Sequence, residues 1–308
     1  MRKGEIRLLN ARRSRIRRSK SDILFDAVVF VIMIFVLFIC LYPLYFMLIA
    51  SISDPNYVLT GQVVLFPKGI TFTGYEKILG EEDIWAGYRN TILYTVLGTA
   101  LNVILTLTAG YALSRKDLPG RRGILIFIVF TMFFNGGMIP TYMVVDQLHL
   151  IDTVWAMILP TAVQVWNLMI ARSFFETTIP PELLDAAMID GCRTLRFFTQ
   201  IVLPVSKAVV AVMILFYAIS HWNTFFNALI YLESEAKYPL QIILRNILIQ
   251  NQPNANMMDD VAGLIERQKA AELIKYGVIV VASVPVLILY PFIQKYFVTG
   301  IMVGSIKG

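Results

Sequence analysis

The sequence predicts an all-α membrane protein: six transmembrane helices, with a cytoplasmic helix-turn-helix between spans four and five. Three observations carry that expectation. Hydrophobic residues make up 57% of the 308 residues and charged ones only 16%, with a mean hydropathy of +0.67, far from the balance of soluble domains. Six uncharged runs approach the roughly 20 residues that a helix needs to cross a bilayer core of about 30 Å. Between the fourth and fifth runs lies a polar stretch with helix start and stop signals, ELLDAAMIDGCRTLRFFTQIVLP.

The first run, Ala27 to Ala50, carries no charge and is too long for the apolar region of a cleaved signal peptide, so it reads as a retained anchor. The others are Asn90 to Leu113, Gly123 to Val145, Val154 to Ala171, Ala208 to Tyr231 and Tyr276 to Phe292. Two domains result: a basic arm over residues 1–26 and a permeation-type membrane domain over 27–308. Lys and Arg set the orientation, because cytoplasmic segments keep an excess of them. Nine lie in the first 20 residues, four more in Arg115, Lys116, Arg121 and Arg122 after span two, and another four in Arg172, Arg193, Arg196 and Lys207 after span four. Those regions, both termini and the tail 297–308 are expected inside, and the long connection 232–275 outside. The net charge of +6 is then mostly topological bias, with contact to anionic lipid rather than nucleic acid for the arm.

The spans exclude several classes of chemistry. None has Asp, Glu, Lys or Arg in its middle, which weakens an ion-coupled carrier. There is no cluster of acid, base and nucleophile for an enzyme, and no charged ring or pore loop for a channel. His149 and His221 fall on different segments without a second ligand nearby, so no metal site is expected. Cys40 and Cys192 have no reason to pair. The chain also lacks a GxxxxGK[ST] phosphate loop, so ATP, if it is used, is bound by another subunit.

What the spans do carry is uncharged polarity. On span five Phe216, Ser220, Asn223, Thr224, Asn227 and Tyr231 recur at helical spacing, with Trp222 beside them. Such a stripe suits either a hydroxyl-rich solute or hydrogen bonds between helices. In span two Gly98, Asn102, Thr106 and Gly110 recur every four residues, the pattern of close helix packing, while Asn102 is also a candidate for a solute pathway. Span three is interrupted by FFNGGMIP, with Asn135 in the break, and span four adds Gln164 and Asn167.

In the polar insert, Pro181 and Glu182 suit a helix N-terminus and Gly191 a left-handed C-terminal cap. A second helix is expected from Thr194 as N-cap, with Leu195, Phe198 and Val202 on one face and a stop at Pro204. By periodicity alone this pair suits a lipid surface as well as a partner's groove. Its spacing decides: Asp185-Ala186-Ala187, Gly191 four residues later, then Ile201, Leu203 and Pro204, resembles the EAA motif of bacterial ABC importer permeases. The tail YFVTGIMVGSIKG, with IPTYMVV and ILPTAVQVWNLMIARSFF, is similar to the carbohydrate-importer branch that includes the maltose transporter permease.

The resemblance implies a permease subunit of an ATP-driven, binding-protein-dependent importer that carries a sugar, with an oligosaccharide expected, by alternating access. It implies a coupling segment, 180–204, that docks on an ATP-binding subunit, with Asp185 where the family usually has Glu. It also implies a tail that reaches the ATPases through Gly300, Gly304 and Lys307, the alternative being a frayed terminus. The implied partners are a second homologous permease, two ATP-binding subunits and an extracellular solute-binding protein, in the bacterial inner membrane. ATP and Mg belong to the partner, and this chain binds no cofactor. The polar run from Gln250 to Asp260 resembles the loop that probes the binding protein, and equally a plain connector. The rival class is an ion-coupled secondary carrier for a polar solute.

Overall fold

A computed structural model describes residues 19–250 and 271–288, with Lys269 and Pro291 beside them. The arm before residue 19, the polar run 251–260, and the tail residues Gly300, Gly304 and Lys307 lie outside the described residues.

Among the described residues the fold is all-helical, without strands. Helix α1 (Lys20–Ser51) is apolar on every side and buries only its last turn, Ile49 to Ser51. A helix of that kind meets lipid or another apolar chain around its whole girth. Two short helices, α2 (Pro55–Leu59) and α3 (Thr73–Gly80), follow in the connection, which Tyr42 holds to α1 by donating to the Val64 carbonyl at 3.2 Å. Helix α4 (Glu82–Ser114) is the axis of the molecule. Its 33 residues extend ~50 Å, longer than a bilayer core is thick.

Three of the expected spans are bent at a break. Span three is α5 (Arg121–Phe133) and α6 (Met138–Gln147), at 115° to one another. The break falls at Phe134 to Gly137, where Gly137 is left-handed (φ +85°) and its N–H bonds the Asn135 side chain at 3.1 Å. Span four is α7 (Val154–Ile158), a 3₁₀ turn through Leu159–Thr161, and α8 (Val165–Thr178), bent by 55°. Pro160 accounts for that bend, since it has no N–H to continue the ladder. By length and composition, three helices can cross a membrane singly, and up to six spans result if each bent pair counts as one.

Span five departs most from expectation. Helix α12 (Lys207–Trp222) ends at Trp222, and the chain restarts as α13 (Phe226–Tyr231). The single-faced stripe from Phe216 to Tyr231 therefore does not exist. Phe216 and Ser220 lie on α12, Asn223 and Thr224 in the break, Asn227 and Tyr231 on α13. The Asn223 amide turns back to the Ile219 carbonyl at 2.9 Å, the local competition by which Asn ends helices.

Helix packing is closest along α4. Gly98 lies against the His221 ring and Gly110 against Ala171 and the backbone of Arg172, as the four-residue spacing of small residues predicts. Helix α14 (Leu240–Gln250) starts against Gly87 of α4, with the Leu240 N–H bonded to Thr91 Oγ1 at 2.8 Å. The last described helix, α15 (Ala271–Ile288), contains Pro285, so the Val281 carbonyl has no N–H one turn on. The Tyr88 hydroxyl takes that carbonyl at 2.7 Å, and Trp222 Nε1 donates to the next one, Ala282, at 3.1 Å. Backbone freed inside a membrane needs such a donor.

One connection is fastened by a single carboxylate. Asp152, left-handed at φ +56°, accepts from the N–H of Glu233 (3.1 Å) and Ser234 (3.0 Å), the Ser234 hydroxyl (2.6 Å) and Lys237 Nζ (2.5 Å). Lys237 first, then Ser234, holds this carboxyl well below the usual carboxylate range. Its folded pKa lies below the unfolded value of about 3.9, so its stabilisation is complete above that pH and fades as pH falls toward the folded pKa. Wild-type melting temperature is expected to drop in acid, below about pH 4, while Asp152→Asn melts lower at pH 7 and shows a flatter acid limb. Thermal melting of the solubilised protein between pH 7 and 3 checks this.

Candidate functional site

The insert is a compact knob. Helix α9 (Pro181–Ile189) begins with proline in its first turn, where the missing N–H costs nothing. It ends on Gly191 at φ +72°, with Gly191 N–H to Met188 O at 3.0 Å and Cys192 N–H to Ala187 O at 2.9 Å. Those two bonds are the Schellman pattern, and the expected cap is borne out.

The second half differs from the sequence reading. Thr194 is the first helical residue rather than the cap; α10 (Thr194–Phe197) follows an extended Arg193. The chain then passes through a π turn, Phe198–Val202, and α11 (Leu203–Val205) before α12 leaves at 85°. Pro204 lies in α11, one residue before that segment stops at Val205. The widened π turn before it relieves the clash that a proline ring makes with the preceding turn. Phe197, Phe198 and Val202 face inward, whereas Leu195 is 75% exposed and not on the buried face.

The knob is anchored on one side and apolar on the other. Ala187, Phe197, Phe198 and Val202 join Tyr111 of α4, Phe175 of α8 and Met213 of α12 in one core cluster, while Ile201 and Leu203 pack at its edge. Away from that core α9 carries Met188 and Ile189 (87% exposed), with Glu182, Asp185, Ala186 and Asp190 exposed beside them, while Leu195 lines a separate groove with Ile104, Thr108 and Ile214. An exposed apolar tip with a charged surround is the anatomy of a protein-binding surface.

Beneath the knob is a charged joint that the sequence reading missed. Glu176 on α8 accepts from Arg121 Nη2 at 2.8 Å and Arg172 Nη2 at 2.6 Å. The Nε groups of both arginines also reach the Leu113 carbonyl, at 2.7 and 3.4 Å. Two guanidinium groups at the negative end of α4 satisfy one of its last carbonyls, that of Leu113, and suit its dipole. The Arg172–Glu176 spacing of four residues was a visible signal; the partner Arg121, 55 residues from Glu176 in the chain, was not.

The polar residues of the spans fall into separate groups. Gln164 Nε2 reaches Ser220 Oγ at 3.3 Å, Asn167 Nδ2 reaches Gln164 Oε1 at 3.4 Å, and the Gln164 N–H bonds the Tyr217 hydroxyl at 3.1 Å. Tyr217 in turn meets Thr106 Oγ1 at 2.6 Å. Asn102 is fully buried, its amide donating to the Thr161 carbonyl and lying 3.0 Å from His221 Nε2. That placement packs Asn102 between α4, the turn at Thr161 and α12. Trp222 and Tyr231 are buried too, Tyr231 stacked on Tyr142 with ring centroids 6.2 Å apart. Asn223 is exposed, Thr224 and Asn227 partly so, and Asn135 lies exposed in the break of span three.

Among the described residues no group of His, Cys, Asp and Glu is arranged to hold a metal ion. No protein-family model matches the chain. It is 40% identical over 286 residues to a polygalacturonan/rhamnogalacturonan transport system permease protein of Bacillus subtilis, covering 92% of this chain and 99% of the relative. An arabinooligosaccharides transport system permease protein of the same species is 28% identical, over 87% of this chain and 91% of its own length. Among solved structures, a chain of a bacterial ABC transporter involved in the import of the acidic polysaccharide alginate superposes with a TM-score of 0.80. That chain is 34% identical, with 91% of this chain and 99% of that one covered.

Proposed function

The chain belongs to the permease subunits of carbohydrate ABC transport systems, and from that premise we propose that it moves an acidic oligosaccharide inward by alternating access. The protein is an integral membrane permease subunit of a binding-protein-dependent sugar importer. The acidic class is supported by the two relatives above, one named for polygalacturonan and rhamnogalacturonan and the other for alginate.

In this reading the chain spans the bacterial inner membrane six times, α5–α6, α7–α8 and α12–α13 each making one interrupted span, with both termini in the cytoplasm. The knob formed by residues 180–204 is the coupling segment. Its carrying observation is the pairing of a buried anchor, Ala187, Phe197 and Phe198, with an exposed apolar end of α9 at Met188 and Ile189. A surface that costs this much hydration is best explained by a partner's cleft. ATP with Mg is bound and hydrolysed by the ATP-binding subunits, two of them, beside a second permease and an extracellular binding protein. Asp185 sits at the edge of the docking face, and Gly300, Gly304 and Lys307 are proposed to reach the same partner. The Glu176 joint ties the knob's root to α4 and α5, so that movement of the knob carries the spans with it.

The experiment is uptake into inside-out-controlled proteoliposomes holding the full transporter. Uptake is expected to need ATP and the binding protein, and to persist when ionophores collapse every ion gradient. Uptake that survives without ATP and falls with the gradient would return the chain to the secondary carriers.

A further inference from the structure

A cavity of about 640 Å³ opens between α14, α15 and the break that ends α12, within the roughly 300–1,000 Å³ typical of small-molecule sites. Gln241 and Arg245 lie four residues apart on α14 and so share the face that lines it; Ser283 lines it from α15, and Asn223 with Phe225 from the break. The rest of the lining is apolar.

The polar groups there are unevenly committed. Asn223 has given one amide hydrogen to Ile219, and Ser283 its hydroxyl hydrogen to the Ile279 carbonyl at 2.7 Å. Arg245, exposed along the cavity, has no carboxylate in ion-pair range among the described residues. A guanidinium offers five donors in a planar fork and accepts nothing, and the planar anion that matches this fork is a carboxylate. The break that ends α12 brings Asn223 and Phe225 to the lining of the same space.

We infer that this cavity is a subsite for a uronic-acid residue of the transported sugar. Arg245 pairs with the carboxylate, Gln241 and Asn223 meet hydroxyls, and the Phe225 ring lies against the C–H face. The inference rests on the acidic-oligosaccharide reading above and names the residue that makes the permease itself selective for charge.

The test compares wild type with Arg245→Lys, Arg245→Gln and Arg245→Glu in the assembled transporter, with its binding protein, taking up an oligogalacturonide. The half-saturating concentration is expected to rise in that order, by about two- to fivefold for Gln, as befits an exposed charge pair. An effect that ignores the sign of the charge, or no effect, overturns the subsite while leaving the substrate class in place. A wild-type transporter that takes up neutral oligosaccharides but no oligogalacturonide overturns the substrate class, and the subsite with it. Repeating the series in vesicles without anionic lipid separates the remaining anion: if the dependence on residue 245 vanishes there, the partner is a lipid headgroup and the subsite is overturned.

Discussion

Gly191→Pro is expected to abolish sugar uptake and the co-purification of the ATP-binding subunit, while the protein still inserts in the membrane. Gly191 stands at φ +72°, and the proline ring fixes φ near −65°. The substitution also deletes the N–H that bonds Met188 at 3.0 Å, and with the turn lost the Cys192–Ala187 bond at 2.9 Å cannot form. The chain would leave α9 in another direction, so Met188 and Ile189 before the turn would lose their fixed relation to Phe197 and Phe198 anchored after it. Nothing lies within 4 Å of a side chain added at this glycine, so the effect is conformational and not steric. Gly191→Ala, which costs about 1–2 kcal/mol in the left-handed region, should therefore lower uptake by a few fold only. Uptake assays together with affinity purification through the permease check both variants. Wild-type uptake and co-purification in Gly191→Pro would remove the knob from the coupling pathway.

The other large effect is expected at Gly98, where a substitution should compromise the fold itself. A Cβ there would lie 2.4 Å from His221 Nε2 and 2.5 Å from its Cε1. The ring cannot retreat easily: His221 is buried, with Nε2 at 3.0 Å from the Asn102 amide. Overpacking of this kind costs about 1–3 kcal/mol, and a disturbed buried hydrogen bond about 1 more. Gly98→Ala is expected to lower the melting temperature by ~5 °C or more, and Gly98→Leu to leave no monodisperse protein after solubilisation. Gly123→Ala is the control, because Gly123 on α5 has open space where its side chain would be. Size-exclusion chromatography and thermal melting in detergent distinguish the three, and a wild-type profile for Gly98→Leu would refute the close approach of α4 and α12.

What could be read from sequence follows what each signal measures. Apolar length locates α1 and α4 because a continuous helix in lipid has no other signature. The break at Phe134 to Gly137 was legible because two glycines in a row advertise it. The breaks at Pro160 and at Asn223 leave no such mark, since hydropathy averages across them and the freed backbone is satisfied by groups far away in the chain or by Asn223 itself. In the knob, Gly191 announced its turn through the only residue that adopts it without strain. The π turn before Pro204 stayed hidden, because a proline forbids one hydrogen bond without saying which alternative replaces it. Arg121 and Arg172 read as topology markers in the sequence, and only their convergence on Glu176 and the Leu113 carbonyl turns them into a joint.

The carbonyl of Val281 has a wider consequence. Pro285 denies it a helical partner permanently, and inside a membrane it needs a donor, so one hydroxyl, that of Tyr88, pins α15 to α4. Tyr88→Phe would therefore strand a backbone carbonyl far from it in the chain, a cost that no contact of the Tyr88 ring itself reveals.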